Sequence, residues 1–169
     1  MRAALALVLL GAAGCATVEP SRLAALEARV QEQEDVEAIR TVIYDYGRYL
    51  DARDIRAYAD LFAEDGELVV GMGGYQGREA IYEGISAAFG PSANVEWTTN
   101  FHVLSNATIE VDGDTASAIT RWMFTRPGAD GAPQIILAGR YVDELAREDG
   151  RWLIKRRESL DDMALEGFP

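Results

Sequence analysis

Residues 133–160, PQIILAGRYVDELAREDGRWLIKRRESL, decide the fold class. Residues 133–148 and 151–160 are two runs in which apolar and β-branched residues recur, and Asp149-Gly150 between them is a tight-turn dipeptide. They read as a hairpin of two long strands. Upstream, residues 98–111 (TTNFHVLSNATIEV) meet residues 115–126 (TASAITRWMFTR) across Asp112-Gly113-Asp114, a second turn signal. The loop PGADGA, residues 127–132, joins the two pairs. A four-stranded antiparallel meander is therefore expected in the C-terminal half.

The N-terminal half is written at a different period. In DVEAIRTVIYDYGRYLDARD, residues 35–54, an apolar face of Ile39, Val42, Ile43, Tyr46 and Leu50 marks an amphipathic helix. Asp54 is placed to N-cap a short second helix over IRAYADLF, residues 55–62. AEDG, residues 63–66, reads as a turn, and ELVVGMGGYQG, residues 67–77, as two short strands about a glycine turn. A third helix is expected over about Arg78 to Phe89. Gly71, Gly73 and Gly74 do not have the spacing of a phosphate loop. Helices first and strands later predict an α+β domain, with the helices on one face of a curved antiparallel sheet and a pocket between them.

Composition narrows the function. The 169 residues carry 16 Lys+Arg against 28 Asp+Glu, a formal net charge of −12. Such acidity argues against nucleic acid, whose binding requires positive charge to displace counterions. One Cys and one His cannot build a Cys/His metal site; a carboxylate-only site for a hard cation stays open, although no calcium-loop spacing is present. No metal and no cofactor are expected. Small molecules and the membrane remain as partners, with a homodimer as a further one.

The membrane enters through the N-terminus. Met1-Arg2, the apolar run Ala3–Leu10 and the sequence GAAGC ending at Cys15 resemble a bacterial lipoprotein signal. That resemblance implies a signal peptide over 1–14, lipidation of Cys15 and an anchor facing the periplasm from the outer membrane. An ordinary secretory signal cleaved near Ala16 is the alternative. Residues 15–34 then form a linker and helical stalk, with Ser21 as a candidate N-cap and Leu23, Leu26 and Val30 on a narrow seam. The stalk either pairs with a second copy or simply extends the next helix. The domain proper is residues 35–163.

Several blocks carry a further resemblance. They are AIRTVIYDYGRYLDARDIRAYADLFAEDGEL, YQGREAI, NFHVLSNATIEVDGDTA and AGRYVDELAREDGRWLIKRR. In this order they resemble the nuclear transport factor 2-like cone, and more closely its SnoaL-like branch, over about residues 36–160. The resemblance implies a cone-shaped sheet enclosing a pocket with three helices from the N-terminal half. In scytalone dehydratase and the lindane dehydrochlorinase, relatives in that superfamily, an Asp at the end of the first helix works with a His on the first long strand. The bile-acid 7α-dehydratase adds a Tyr five residues before that Asp. The matching positions here are Asp51, His102 and Tyr46. The further pocket carboxylate and second His of the dehydratase have no match.

These residues suit a lyase or isomerase that removes a proton from carbon on a small, apolar, oxygenated ring. Imidazole is a base near neutral pH, a carboxylate fixes its tautomer, and a phenol donates to developing negative charge. Read without the resemblance, Asp51 lies beside the apolar helix stripe and points either to a pocket rim or to solvent. Strand alternation puts Asn100, His102, Leu104 and Asn106 on one side, so His102 is a pocket base or a structural residue, with Asn106 nearby. Arg140 is a candidate ligand contact, or else half of an ion pair with Glu144 or a neighbouring strand. Trp122, with Met123 and Phe124, lines either a cavity or the ordinary core. The run IKRRE, residues 154–158, reads as a solvated face. The competing function is a non-catalytic ligand-binding or assembly lipoprotein of the same fold.

Overall fold

The computed structural model describes residues 19–71, 73–89 and 100–164. The expected signal peptide over 1–14, the lipidation candidate Cys15 and Thr98-Thr99 of the expected strand lie outside the described residues. Three helices and six strands follow in the order α1 (Pro20–Asp51), α2 (Ile55–Ala59), β1 (Phe62–Val70), β2 (Gly73–Gln76), α3 (Arg78–Phe89), β3 (Phe101–Asp112), β4 (Thr115–Pro127), β5 (Pro133–Glu148) and β6 (Arg151–Ala164). The strands form one curved, unclosed sheet in the order β2-β1-β6-β5-β4-β3. The meander β3 to β6 is antiparallel throughout, whereas β1 runs parallel to β6.

Two local readings change. AEDG is not a turn but part of β1, which begins at Phe62. A register shift between Phe62 and Glu67 absorbs the extra residues, so the strand bends there instead of ending. The N-cap of the stalk is Glu19 rather than Ser21; the stalk itself extends into the first domain helix, one of its two expected arrangements, as one continuous helix from Pro20. Pro is suited to a first helical turn, where its missing N–H costs no intrahelical bond.

The other end of α1 sets up the site. Ala52 closes the helix and Arg53 takes a left-handed φ of 59°. The Arg53 N–H then reaches Leu50 O at 3.1 Å and the Asp54 N–H reaches Tyr49 O at 2.9 Å, the paired bonds of a Schellman ending. Asp54 at once caps α2, accepting from the Ala57 N–H at 3.1 Å. In the sequence DARD, therefore, the second Asp is spent on a cap, and the first is the last residue of a helix whose inner face is already buried.

That inner face packs Ile39, Ile43 and Leu50 against Phe62, Leu68 and Ile154 of the sheet. Full burial of side chains of this size contributes roughly 1.5–3 kcal/mol each. A polar clasp sits where the buried face begins. Asp35, only 6% exposed, accepts from Trp152 Nε1 at 3.1 Å and Arg147 at 2.8 Å. Burial pushes its carboxyl up, but the hydrogen bonds from Arg147, Trp152 and Gln31 outweigh it, and the net direction is down. A depressed folded value contributes stability above the unfolded carboxylate pKa and loses it as pH falls through the folded one. Melting temperature measured between about pH 5 and pH 2 should therefore fall less steeply in Asp35→Asn than in the parent.

Candidate active site

The C-terminal turn of α1 lies against the start of β3, and Gly47 permits the approach. A Cβ there would sit 2.4 Å from Leu104 Cδ1 and 3.6 Å from His102 Cβ. Close packing places Asp51 beside a histidine fifty-one residues later. Asp51 Oδ1 lies 2.6 Å from His102 Nδ1, and Asp51 Oδ2 accepts the His102 backbone N–H at 2.9 Å. Both carboxylate oxygens are thus held by one residue, and the two side chains are 19% and 14% exposed.

This geometry fixes the imidazole. An ionised carboxylate only accepts hydrogen bonds, so the Nδ1 facing it carries the hydrogen and Nε2 keeps its lone pair. His102 lines a cavity of about 340 Å³, and Asp51 stands behind it, outside the lining. Tyr46, Tyr58, Trp122, Phe124 and Tyr141 supply most of the aromatic wall. Phe124 and Trp122 flank the imidazole at centroid distances of 5.0 and 6.4 Å. Trp122 lies flat on Tyr141, 5.5 Å away at 17°. Gly139 makes room for it: a Cβ there would meet Leu160 O at 2.0 Å and the Trp122 ring at 2.9 Å.

Tyr46 lies at the cavity floor, 3% exposed, with Tyr58 at 4.6 Å and Tyr141 at 5.2 Å between centroids. Burial drives the hydroxyl pKa values up, more so for Tyr58 and Tyr141, while the Arg157 charge works against the rise. All three phenols therefore remain protonated near neutral pH and available as donors.

Beneath them is a group that the sequence reading placed in solvent. Arg157, within IKRRE, is fully buried and forms a two-pronged pair with Asp143, both N···O distances 2.6 Å. Its guanidinium lies 4.0 Å from the Tyr46 ring centre and 4.5 Å from that of Tyr141. Burial opposes its charge, but the Asp143 carboxylate overrides that and raises its pKa. Lys155 and Arg156 of the same run do form partly exposed ion pairs, so the reading fails at Arg157 and at the apolar Ile154, which belongs to the core. The available signal was Asp143, which shares the inward frame of Tyr141 and Leu145 and is the register partner of Arg157.

Two of the expected ligand contacts fall elsewhere. Asn106 is exposed at a bulge, with φ 51° and a register shift between Ser105 and Thr108. The bulge breaks the alternation that had put Asn106 on the side of His102. Arg140 is outside the cavity lining: it neighbours inward-facing Tyr141, pairs in register with exposed Arg121, and both arginines bind Asp162. The structure thus brings together His102, Asp51, Tyr46 and Trp122 around the cavity, and leaves out Arg140 and Asn106. Among the described residues, no three His, Cys, Asp or Glu side chains converge as a metal site would require, and no helix is long and apolar enough to cross a membrane.

Comparison with known proteins agrees with this arrangement at the level of fold. Residues 31–158 match the SnoaL-like domain family. No curated protein matches the chain. An NTF2-like protein with a cystatin-like fold from Novosphingobium aromaticivorans is similar at 31% identity and a TM-score of 0.69, covering 86% of this chain and 92% of that one. A protein provisionally assigned as a scytalone dehydratase from the same organism is 25% identical, with a TM-score of 0.65 over 82% of this chain and 91% of its own. The hexachlorocyclohexane dehydrochlorinase LinA type 2 shares the fold at 20% identity and a TM-score of 0.67, over 83% of this chain and 95% of its own.

Proposed function

The chain belongs to the SnoaL-like domain family, and from that premise we propose that it is a cofactor-independent lyase or isomerase acting on a small, apolar, oxygenated ring compound. The observation that supports this is the His102–Asp51 pair, with Nδ1 held at 2.6 Å and the other ring nitrogen left for the cavity. In the elimination, His102 Nε2 takes a proton from carbon. The freed C–H pair becomes the new double bond, and the leaving group departs from the adjacent carbon with its own bonding pair. Asp51 stabilises the imidazolium formed, as the carboxylate of a His–Asp couple does. The Tyr46 hydroxyl donates to the oxygen on which charge develops. An aromatic wall suits a planar ring, and a cavity of about 340 Å³ suits a small one.

Solved structures similar to this chain include a provisionally assigned scytalone dehydratase and a dehydrochlorinase, which favours hydroxyl or halide as the leaving group. A halide departs as the anion, and a hydroxyl departs as water by taking the proton now on His102 Nε2. The envelope location belongs to the same proposal: Cys15 is lipidated and anchors the domain at the periplasmic face of the outer membrane. The mass of the mature N-terminus tests that part by itself.

The coupled pair is tested by nitrogen-15 NMR of the single histidine. The expected result is a dominant Nδ1-protonated tautomer in the parent, giving way towards Nε2–H in Asp51→Asn. A parent imidazole protonated at Nε2, or one indifferent to Asp51→Asn, would sink the proposal.

A further inference from the structure

We propose that residues 20–34 of α1 form a parallel two-stranded coiled coil with a second copy of this chain. The segment is helical, yet every residue from 19 to 34 is exposed, including Leu23 at 49%, Leu26 at 45% and Val30 at 56%. An isolated helix of this length is marginal in water, and its stability normally comes from a packed apolar face. The apolar residues, followed by Gln33, recur at steps of three and four, which places them at the a and d positions of two heptads.

Direction around the helix shows why the domain itself does not cover them. At 100° per residue, Ile39, Ile43, Tyr46 and Leu50 centre roughly 160° away from the seam, nearly on the opposite side. The helix continues without a break into the domain, so the seam always faces away from the chain's own core. Two copies can therefore meet along it with their domains on the outside. The free segment projects about 22 Å, enough for two heptads clear of the sheet.

Charge selects the partner and its direction. With Leu23 at a, Arg22 and Arg29 occupy g positions, and Glu27 and Glu34 occupy e positions. A parallel pair sets each g residue against the e residue five further along the partner: Arg22 against Glu27, and Arg29 against Glu34. An antiparallel pair sets Arg against Arg and Glu against Glu. Complementary e and g charges determine orientation in coiled coils, and this set favours only the parallel one. Among the described residues none of these four side chains makes an ion pair or hydrogen bond within its own chain.

The test uses the full chain with Cys15→Ser and a single thiol introduced either at the seam, by Leu26→Cys, or on the outer face, by Ala28→Cys. Mild oxidation should link Leu26→Cys chains into dimers at least tenfold faster than Ala28→Cys chains. Adding Glu27→Arg and Glu34→Arg should slow that link at least tenfold. Mixing this variant with Leu26→Cys chains carrying Arg22→Glu and Arg29→Glu should restore it, as a heterodimer. Equal rates at the two positions, a seam link indifferent to charge reversal, or a seam thiol that residues 1–18 shield from linking would each overturn the pairing.

Discussion

Replacing His102 by Gln is expected to lower kcat for elimination by about 10²–10⁴-fold, the range a positioned general base supplies. Gln keeps a similar size and hydrogen-bonding capacity but cannot take a proton from carbon. A cyclic β-hydroxy ketone is a suitable substrate, because loss of water gives an enone whose absorbance reports the rate. Asp51→Asn should cost a comparable factor, since Asn cannot stabilise the imidazolium and favours the wrong tautomer. The decisive measurement is the double variant. Residues that act as one unit are far from additive, so His102→Gln with Asp51→Asn should be little slower than His102→Gln alone. Full multiplication of the two losses, or unchanged kcat in His102→Gln, would remove the imidazole from the chemistry.

Asp143→Asn is expected to cause a larger loss of stability than Asp35→Asn or Asp51→Asn. It leaves the Arg157 guanidinium fully buried without its counter-charge. Breaking a buried pair from one side costs roughly 3–5 kcal/mol, because the remaining charge has neither water nor partner. For a domain of this size the melting temperature should drop by on the order of 10 °C or more. Removing both charges together, with Asp143→Leu and Arg157→Met, should recover much of that loss, since an apolar pair of similar volume bears no desolvation cost. Calorimetry on the three proteins checks this. A single variant as stable as its parent would mean that Arg157 finds solvent or another acceptor.

His102 and the Arg157–Asp143 pair occupy neighbouring layers of one structure. Arg157 underlies Tyr46 and Tyr141, which form the cavity floor, and His102 stands in the cavity wall. A variant that unfolds the floor would also lose activity. Only His102→Gln, with stability retained, separates chemistry from scaffold.

The elements were largely legible because each depends on near neighbours in the chain. Asp149-Gly150 turns a hairpin whatever surrounds it, and the stripe through Ile39, Ile43 and Leu50 declares a helix with one buried side. The cap at Asp54 is equally local, being a side chain and a backbone N–H three residues apart. Failures arose where a strand departs from strict alternation. Counting in twos puts Asn106 on the side of His102, and a bulge after Ser105 turns it out. Arg157 sits among charged neighbours that do meet solvent, and a run of charge looks the same whether or not one member has a buried partner. Its partner Asp143 lies on the adjacent strand, and that pairing exists only once β5 and β6 are in register.

The sequence by itself determined the α+β order, the acidic surface, the lack of Cys/His metal chemistry and the presence of a single imidazole. Through resemblance it also pointed to Asp51 and Tyr46 as that imidazole's companions. Only the tertiary structure decided whether they meet. Asp51 could have faced water as readily as a pocket, and His102 could have been an isolated strand residue. The contact depends on the close approach of α1 to β3 at Gly47, where a missing Cβ leaves space for Leu104. Packing between distant segments sets that approach, and local propensity has no term for it.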